Sequence, residues 1–154
     1  MTLLKSYYQL CKPNVVYMML ICAFVGMLMA EETVNSFLYL FTALSGIAFC
    51  AASAAAINQV IDRDADASMT RTDQRPLPQG ELSVTHASLF ALVMGIVGAL
   101  ILYIYVNTLT MILTLASLIG YAFIYTVYLK RATPQNIVIG GLAGAAPALL
   151  GWAA

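Results

Sequence analysis

The chain has little charge. Seven Lys or Arg and seven Asp or Glu make up 9% of 154 residues, against 62% hydrophobic ones, and so small a polar complement cannot cover a water-soluble domain. The formal net charge is zero, so no global basic character invites nucleic acid. Cys11, Cys22 and Cys50 form no CxxC pair; that excludes a disulfide framework and a thiolate metal site, and predicts three small buried hydrophobes. The lone histidine, His86, sits beside Thr85 at a helix start and reads as an interfacial group rather than a metal or haem ligand. No acidic residue follows Glu81. The N-terminus has no long basic stretch and no short apolar segment ending in a small-residue cleavage site, so its first helix is expected to be retained.

Long apolar runs stand where polar surface is missing. Five are read at 15–30, 36–57, 87–106, 109–129 and 137–154. At about 1.5 Å per residue each can cross roughly 30 Å of hydrocarbon, the first with help from its flanks. They predict an all-α fold, a polytopic membrane helix bundle with about five spans. Lys5, Lys12, Arg63, Arg71, Arg75, Lys130 and Arg131 all fall on one side of this topology, which places the N-terminus and the loop 58–86 in the cytoplasm. Such an unprocessed start suits a bacterial plasma (inner) membrane. The chain stops at Gly151-Trp152-Ala153-Ala154 with no polar tail, so residues 1–154 are expected to be the N-terminal part of a longer transmembrane domain.

The chemistry gathers at the end of the second run. Asn58, Asp62 and Asp66 stand at i, i+4 and i+8, a spacing that puts all three on one helical stripe. Carboxylates cost about 2.5–3.5 kcal/mol each at a bilayer centre, so a cluster at a membrane edge calls for a cation. Hard oxygen donors suit Mg²⁺, shared between one or two carboxylates and substrate phosphates. Asp62 and Asp66 are the expected metal ligands, with the Asn58 amide oxygen beside them, while Asp64 points away from the stripe. Arg71 and Arg75 follow four apart and offer guanidinium forks to a diphosphate beyond its metal. Allylic diphosphate ionisation needs this combination, because metal and guanidinium together stabilise the departing anion. Tyr121, Tyr125 and Tyr128 read as an interfacial aromatic belt. Gly140 and Gly144 read as a close-packing GxxxG pattern; Pro147 predicts a kink and Trp152 an interfacial anchor.

Taken with Lys12-Pro13, the segments Asn58-xxx-Asp62-xxx-Asp66, Met69-x-Arg71-Thr72-xx-Arg75-Pro76-Leu77, Tyr125-Thr126-xx-Leu129-Lys130-Arg131 and Thr133-Pro134-Gln135-Asn136-Ile137-Val138-Ile139-Gly140-Gly141 resemble the protohaem IX farnesyltransferase (haem O synthase) family of UbiA-type intramembrane prenyltransferases. The resemblance covers the whole chain but only about the first half of a family member. It implies a bundle of roughly nine membrane helices around a cavity open to the cytoplasm, and transfer of the farnesyl group of farnesyl diphosphate to a vinyl group of haem b, giving haem O for terminal oxidases. It also implies that Asn58, Asp62 and Asp66 form a first aspartate-rich motif for Mg²⁺-diphosphate, that Arg71, Arg75 and Lys130 steady the leaving group with Lys12, and that partners lie among haem-processing or terminal oxidase assembly proteins. The family's second aspartate-rich motif has no counterpart here, so this polypeptide alone is expected to be inactive.

Two alternatives remain at the level of sequence. One is a UbiA-type enzyme that prenylates a quinone or lipid precursor. The other is a divalent-cation channel or transporter, which would need polar groups continuing through the membrane. A CDP-alcohol phosphotransferase would need an Asp-Gly-xx-Ala-Arg element that is absent.

Overall fold

In a computed structural model, residues 3–30, 36–129 and 136–154 are described, and everything described is helix or connecting turn. The helices are α1 (Leu3–Leu10), α2 (Pro13–Met29), α3 (Phe37–Ile61), α4 (Arg63–Ala67), α5 (Val84–Tyr105), α6 (Thr108–Ile119), the wide-turned π1 (Gly120–Leu129) and α7 (Asn136–Ala153). α2, α3 and α5 are apolar all round, as membrane spans are, whereas α1 is amphipathic. Their starts follow local chemistry. Pro13 begins α2, where its missing N–H costs nothing, and Ser36, Ser83 and Asn107 cap α3, α5 and α6 by accepting the backbone N–H groups of Leu38, His86 and Thr110.

Among the described residues, three helical runs can cross a membrane by length and apolarity, Phe37–Ile61, Val84–Tyr105 and Thr108–Leu129, and a fourth if the α1–α2 pair, bent by 45°, counts as one span. This is a multi-pass membrane protein. The expected fifth run is helical, but the apolar part of α7 that is described spans only Ala143–Ala153. Two further expectations need correction. The segment 58–86 is not one loop: α3 continues to Ile61, α4 follows, and the connecting turns lie between Ala67 and Val84. Cys22 is exposed on α2 and Cys11 half-buried, leaving Cys50 as the buried thiol.

Small residues let the helices approach. A Cβ at Gly98 of α5 would sit 2.7 Å from Cys50 Sγ and 2.8 Å from the Gly46 carbonyl of α3, and Ser53 Oγ donates to the Ala91 carbonyl at 2.7 Å across the same seam. Where α2 meets α7, Gly26 faces the Ala148 backbone and Gly151 the Ala23 backbone, with no room for a side chain at either glycine. α1 folds over the polar end of α3 and α5: Leu10 packs with Ala56, Leu82 and Ala87, and Tyr7 lies 5.0 Å from Phe90 between ring centroids. Ser6 Oγ donates to Glu81 at 2.6 Å, tying α1 to the connecting turns.

Candidate functional site

Asn58, Asp62 and Asp66 are each buried, at 5%, 4% and 5% exposure. The helical stripe survives a break in the helix. Asp62 ends α3 with ψ 2°, yet its N–H still bonds the Asn58 carbonyl at 3.0 Å and the Asp66 N–H bonds the Asp62 carbonyl at 2.8 Å, so the register carries through into α4. Asp64 leaves the stripe, as its spacing requires. Its side chain is 89% exposed and pairs with Arg63.

Buried carboxylates need charged or hydrogen-bonding partners, and the structure gives Asp66 a guanidinium and Asp62 an amide donor. Arg75 Nη1 donates to Asp66 Oδ2 at 2.5 Å, and the Thr72 hydroxyl donates to the Asp66 carbonyl at 3.0 Å, which pins the turn that delivers Arg75. Asn58 Nδ2 donates to Asp62 Oδ2 at 3.0 Å and to Thr126 Oγ1 at 3.1 Å, while its Oδ1 accepts from Lys12 Nζ at 2.5 Å. The Thr126 hydroxyl in turn donates to the Tyr121 carbonyl five residues back. A chain of hydrogen bonds thus joins α2, α3 and π1.

Two cavities adjoin this cluster. The larger, about 600 Å³, is bounded by α2, α3, α6, π1 and α7, with Val16, Met19, Ile47, Ala51 and Leu150 on its walls. The smaller, about 230 Å³, is polar, lined by Gln9, Lys12, Gln59, Arg71, Gln74, Arg75 and Pro76. Lys12 borders both. An amphipathic ligand with an anionic head and an apolar tail fits this pair.

The structure therefore brings together Asn58, Asp62, Asp66, Arg75 and Lys12, and sets exposed Arg71 on the rim of the polar cavity. Lys130 and the residues around it lie outside the described residues. Among the described residues no three His, Cys, Asp or Glu side chains are grouped to hold a metal by themselves. Two carboxylates and an amide fit Mg²⁺ in the sense that its usual site takes one or two carboxylates and draws its remaining oxygens from phosphate and water.

Two of the three tyrosines depart from the expected belt. Tyr121 and Tyr125 stack at 5.6 Å between centroids, 9° from parallel, and both line the large cavity. Tyr128 is 70% exposed. In an α-helix a residue seven positions on would share the face of Tyr121; in π1 the turn is wider, so seven residues fall short of two turns. Gly140 packs against the Tyr125 ring, whereas a Cβ at Gly144 would meet nothing within 4 Å, so only the first glycine of that pattern makes a tight contact. His86 is exposed beside Ser83 at the start of α5. Trp152 is 61% exposed. Gln59, Thr72 and Thr126 were not singled out by spacing; the signal available was a polar side chain next to the stripe or within an apolar helix.

The UbiA prenyltransferase family pattern matches residues 19–154. A protoheme IX farnesyltransferase 2 of Pseudoalteromonas atlantica is 59% identical over 150 residues, covering 97% of this chain and 49% of the relative. The protoheme IX farnesyltransferase of Shewanella oneidensis is 56% identical, covering 97% and 50%. The chain spans about half the length of the curated relatives it matches. Among solved structures, a UbiA homologue of Archaeoglobus fulgidus bound to DMAPP and Mg²⁺ superposes with a TM-score of 0.77 at 22% identity, over 96% of this chain and 52% of that one. The same homologue bound to GPP and Mg²⁺ gives 0.75. These two likenesses show the fold.

Proposed function

The chain belongs to the UbiA prenyltransferase family, and on that premise we propose that it forms the N-terminal part of a transmembrane enzyme that moves the farnesyl group of farnesyl diphosphate onto a vinyl group of haem b, with diphosphate departing and water adding to the carbocation left on the vinyl carbon as a hydroxyl, giving haem O. The observation that carries the reaction type is the buried Asn58-Asp62-Asp66 stripe bonded to Lys12, which borders the apolar cavity, and to Arg75, which lines the polar one. The acceptor rests on the names of the 56–59% identical relatives. The site faces the cytoplasm of a bacterial inner membrane in this reading, because every Lys and Arg flanks that side.

Asp62, Asp66 and the Asn58 amide would hold Mg²⁺ against the diphosphate. When bound, Mg²⁺ supplies Lewis-acid stabilisation of the leaving anion. Arg75 and Arg71 offer forked N–H donors to the phosphate oxygens, and Lys12 a point charge between head and tail. As the carbon–oxygen bond breaks, these cations gain interaction with an anion whose charge is growing, which lowers the barrier rather than merely tightening binding. The large cavity keeps the isoprenoid chain out of water. Tyr121 and Tyr125 line it, and an aromatic ring there would attract positive charge on the allylic fragment through its quadrupole.

The test uses the complete protein in liposomes with Mg²⁺, farnesyl diphosphate, and either haem b or 4-hydroxybenzoate. Haem of increased mass, with no product from the phenol, is expected. Prenylation of 4-hydroxybenzoate with haem b untouched would refute the acceptor, and Mg²⁺ flux in the absence of any prenyl diphosphate would point to transport instead.

A further inference from the structure

Gln59 follows Asn58 on α3, but its carboxamide reaches across to the first helix. The residue is 2% exposed, and its Nε2 donates to the Gln9 carbonyl at 3.1 Å and the Leu10 carbonyl at 3.0 Å. These oxygens belong to the final turn of α1, where a helix leaves its carbonyls without intrahelical partners. Two residues beyond Leu10 the backbone turns left-handed at Lys12, with φ 49° and ψ 61°, and α2 starts at Pro13. Among the described residues Lys12 is the only non-glycine residue with positive φ, a conformation that L-residues hold only when their surroundings impose it. From that turn Lys12 Nζ arrives at Asn58 Oδ1.

The orientation of the Gln59 amide is fixed by its partners, since an oxygen could not face two carbonyl oxygens. Its Oε1 is consequently buried without a hydrogen-bond partner, in the wall of the polar cavity that Lys12, Arg71 and Arg75 also line. A buried amide oxygen left unpaired has an energetic cost. The two bonds at its other end tie it in place.

We propose that Gln59 is the positioning residue for Lys12: by gripping the end of α1 it sets the left-handed turn and so places the lysine ammonium between the polar cavity and the apolar one. This rests on the reading of Lys12 as a diphosphate-binding group. Gln59 itself touches no substrate in this account. It acts through the chain direction at residues 9–12.

The test follows the lysine directly. In the complete protein in nanodiscs, reductive methylation mapped by mass spectrometry compares Lys12 with exposed Lys5. Lys12 is expected to react slowly in the unmodified sequence, and about tenfold faster in Gln59→Met, the loss of one charge-assisted hydrogen bond, with Lys5 unchanged. Gln59→Glu keeps the shape without the donors and should behave alike if the Met variant fails to fold. Lower thermal stability with an unchanged Lys12 rate would make Gln59 a structural residue only and overturn the proposal. Calorimetry with inorganic diphosphate and Mg²⁺ separates the two readings. Lys12→Met and Gln59→Met should each weaken binding, and the double variant no further than Lys12→Met alone. Faster Lys12 methylation in Gln59→Met, with normal diphosphate binding by Lys12→Met, would uphold the positioning and refute the diphosphate role.

Discussion

Arg75→Met in the complete protein should make thermal stability depend on Mg²⁺. Asp66 has a side chain only 7% exposed, and Arg75, at 30%, supplies its short ion pair. Removing one partner of a buried pair costs about 3–5 kcal/mol because the other charge is left uncompensated. Part of Arg75 reaches solvent, so screening brings the figure to about 2–3 kcal/mol. Proteins of about 150–250 residues lose about 2–4 °C per kcal/mol and longer ones less, so a fall of a few degrees is expected without divalent ions. Mg²⁺ then acts differently on the two proteins. With Arg75 present the metal must displace a guanidinium from Asp66; with methionine it meets a bare carboxylate. At about 100 times its dissociation constant a ligand adds about 2.7 kcal/mol to stability, enough to return the variant close to the parent. Differential scanning fluorimetry in detergent, with Mg²⁺ against matched ionic strength, reads this out. Equal Mg²⁺ shifts in parent and variant, or none in the variant, would refute the assignment of Asp66 as a metal ligand.

Asp62→Asn or Asp66→Asn should abolish most prenyl transfer while membrane insertion persists; near-normal turnover in a haem O assay would contradict the metal assignment. Gly144→Phe, at a site where a Cβ meets nothing within 4 Å, should leave folding and inorganic diphosphate binding intact and weaken farnesyl diphosphate binding several-fold, which competition binding measures. Gly26→Val, pressed against the Ala148 backbone, should destabilise by about 1–3 kcal/mol through overpacking, seen as a lowered unfolding midpoint with diphosphate affinity unchanged in the remaining folded protein.

Much of the site was legible in the sequence, since four-residue spacing at the end of an apolar run specifies a helical stripe whatever surrounds it. The burial of Asn58, Asp62 and Asp66 and the outward turn of Asp64 follow from that geometry. The contact of Lys12 with Asn58 and that of Gln59 with Gln9 and Leu10 join residues 46 to 50 positions apart, and no periodicity carries such pairings. Tyr121 and Tyr125 were misplaced for a related reason. Whether a tyrosine of π1 faces the cavity or the outside depends on whether the backbone bonds four or five residues back, a choice made by packing rather than composition. Cys22 shows that in a membrane protein an apolar run does not tell the inward face from the outward one, because both are apolar.

Consider α3 as a single rod. Asn58 and Gln59 stand at its polar end, and Ala55, Ala54, Ala51, Cys50 and Ile47 line the large cavity along about 12 Å of the same helix. Head and tail of an amphipathic ligand are therefore measured against one ruler with no hinge between its marks. Exchanging one small side chain for another along 47–55 alters the space for the tail and leaves the anion end undisturbed. Adding or deleting one residue there would swing the polar end about 100° around the axis, turning Asn58 away from Lys12 and Thr126. The side chains that face the cavity can be exchanged in a way that the length of the segment cannot.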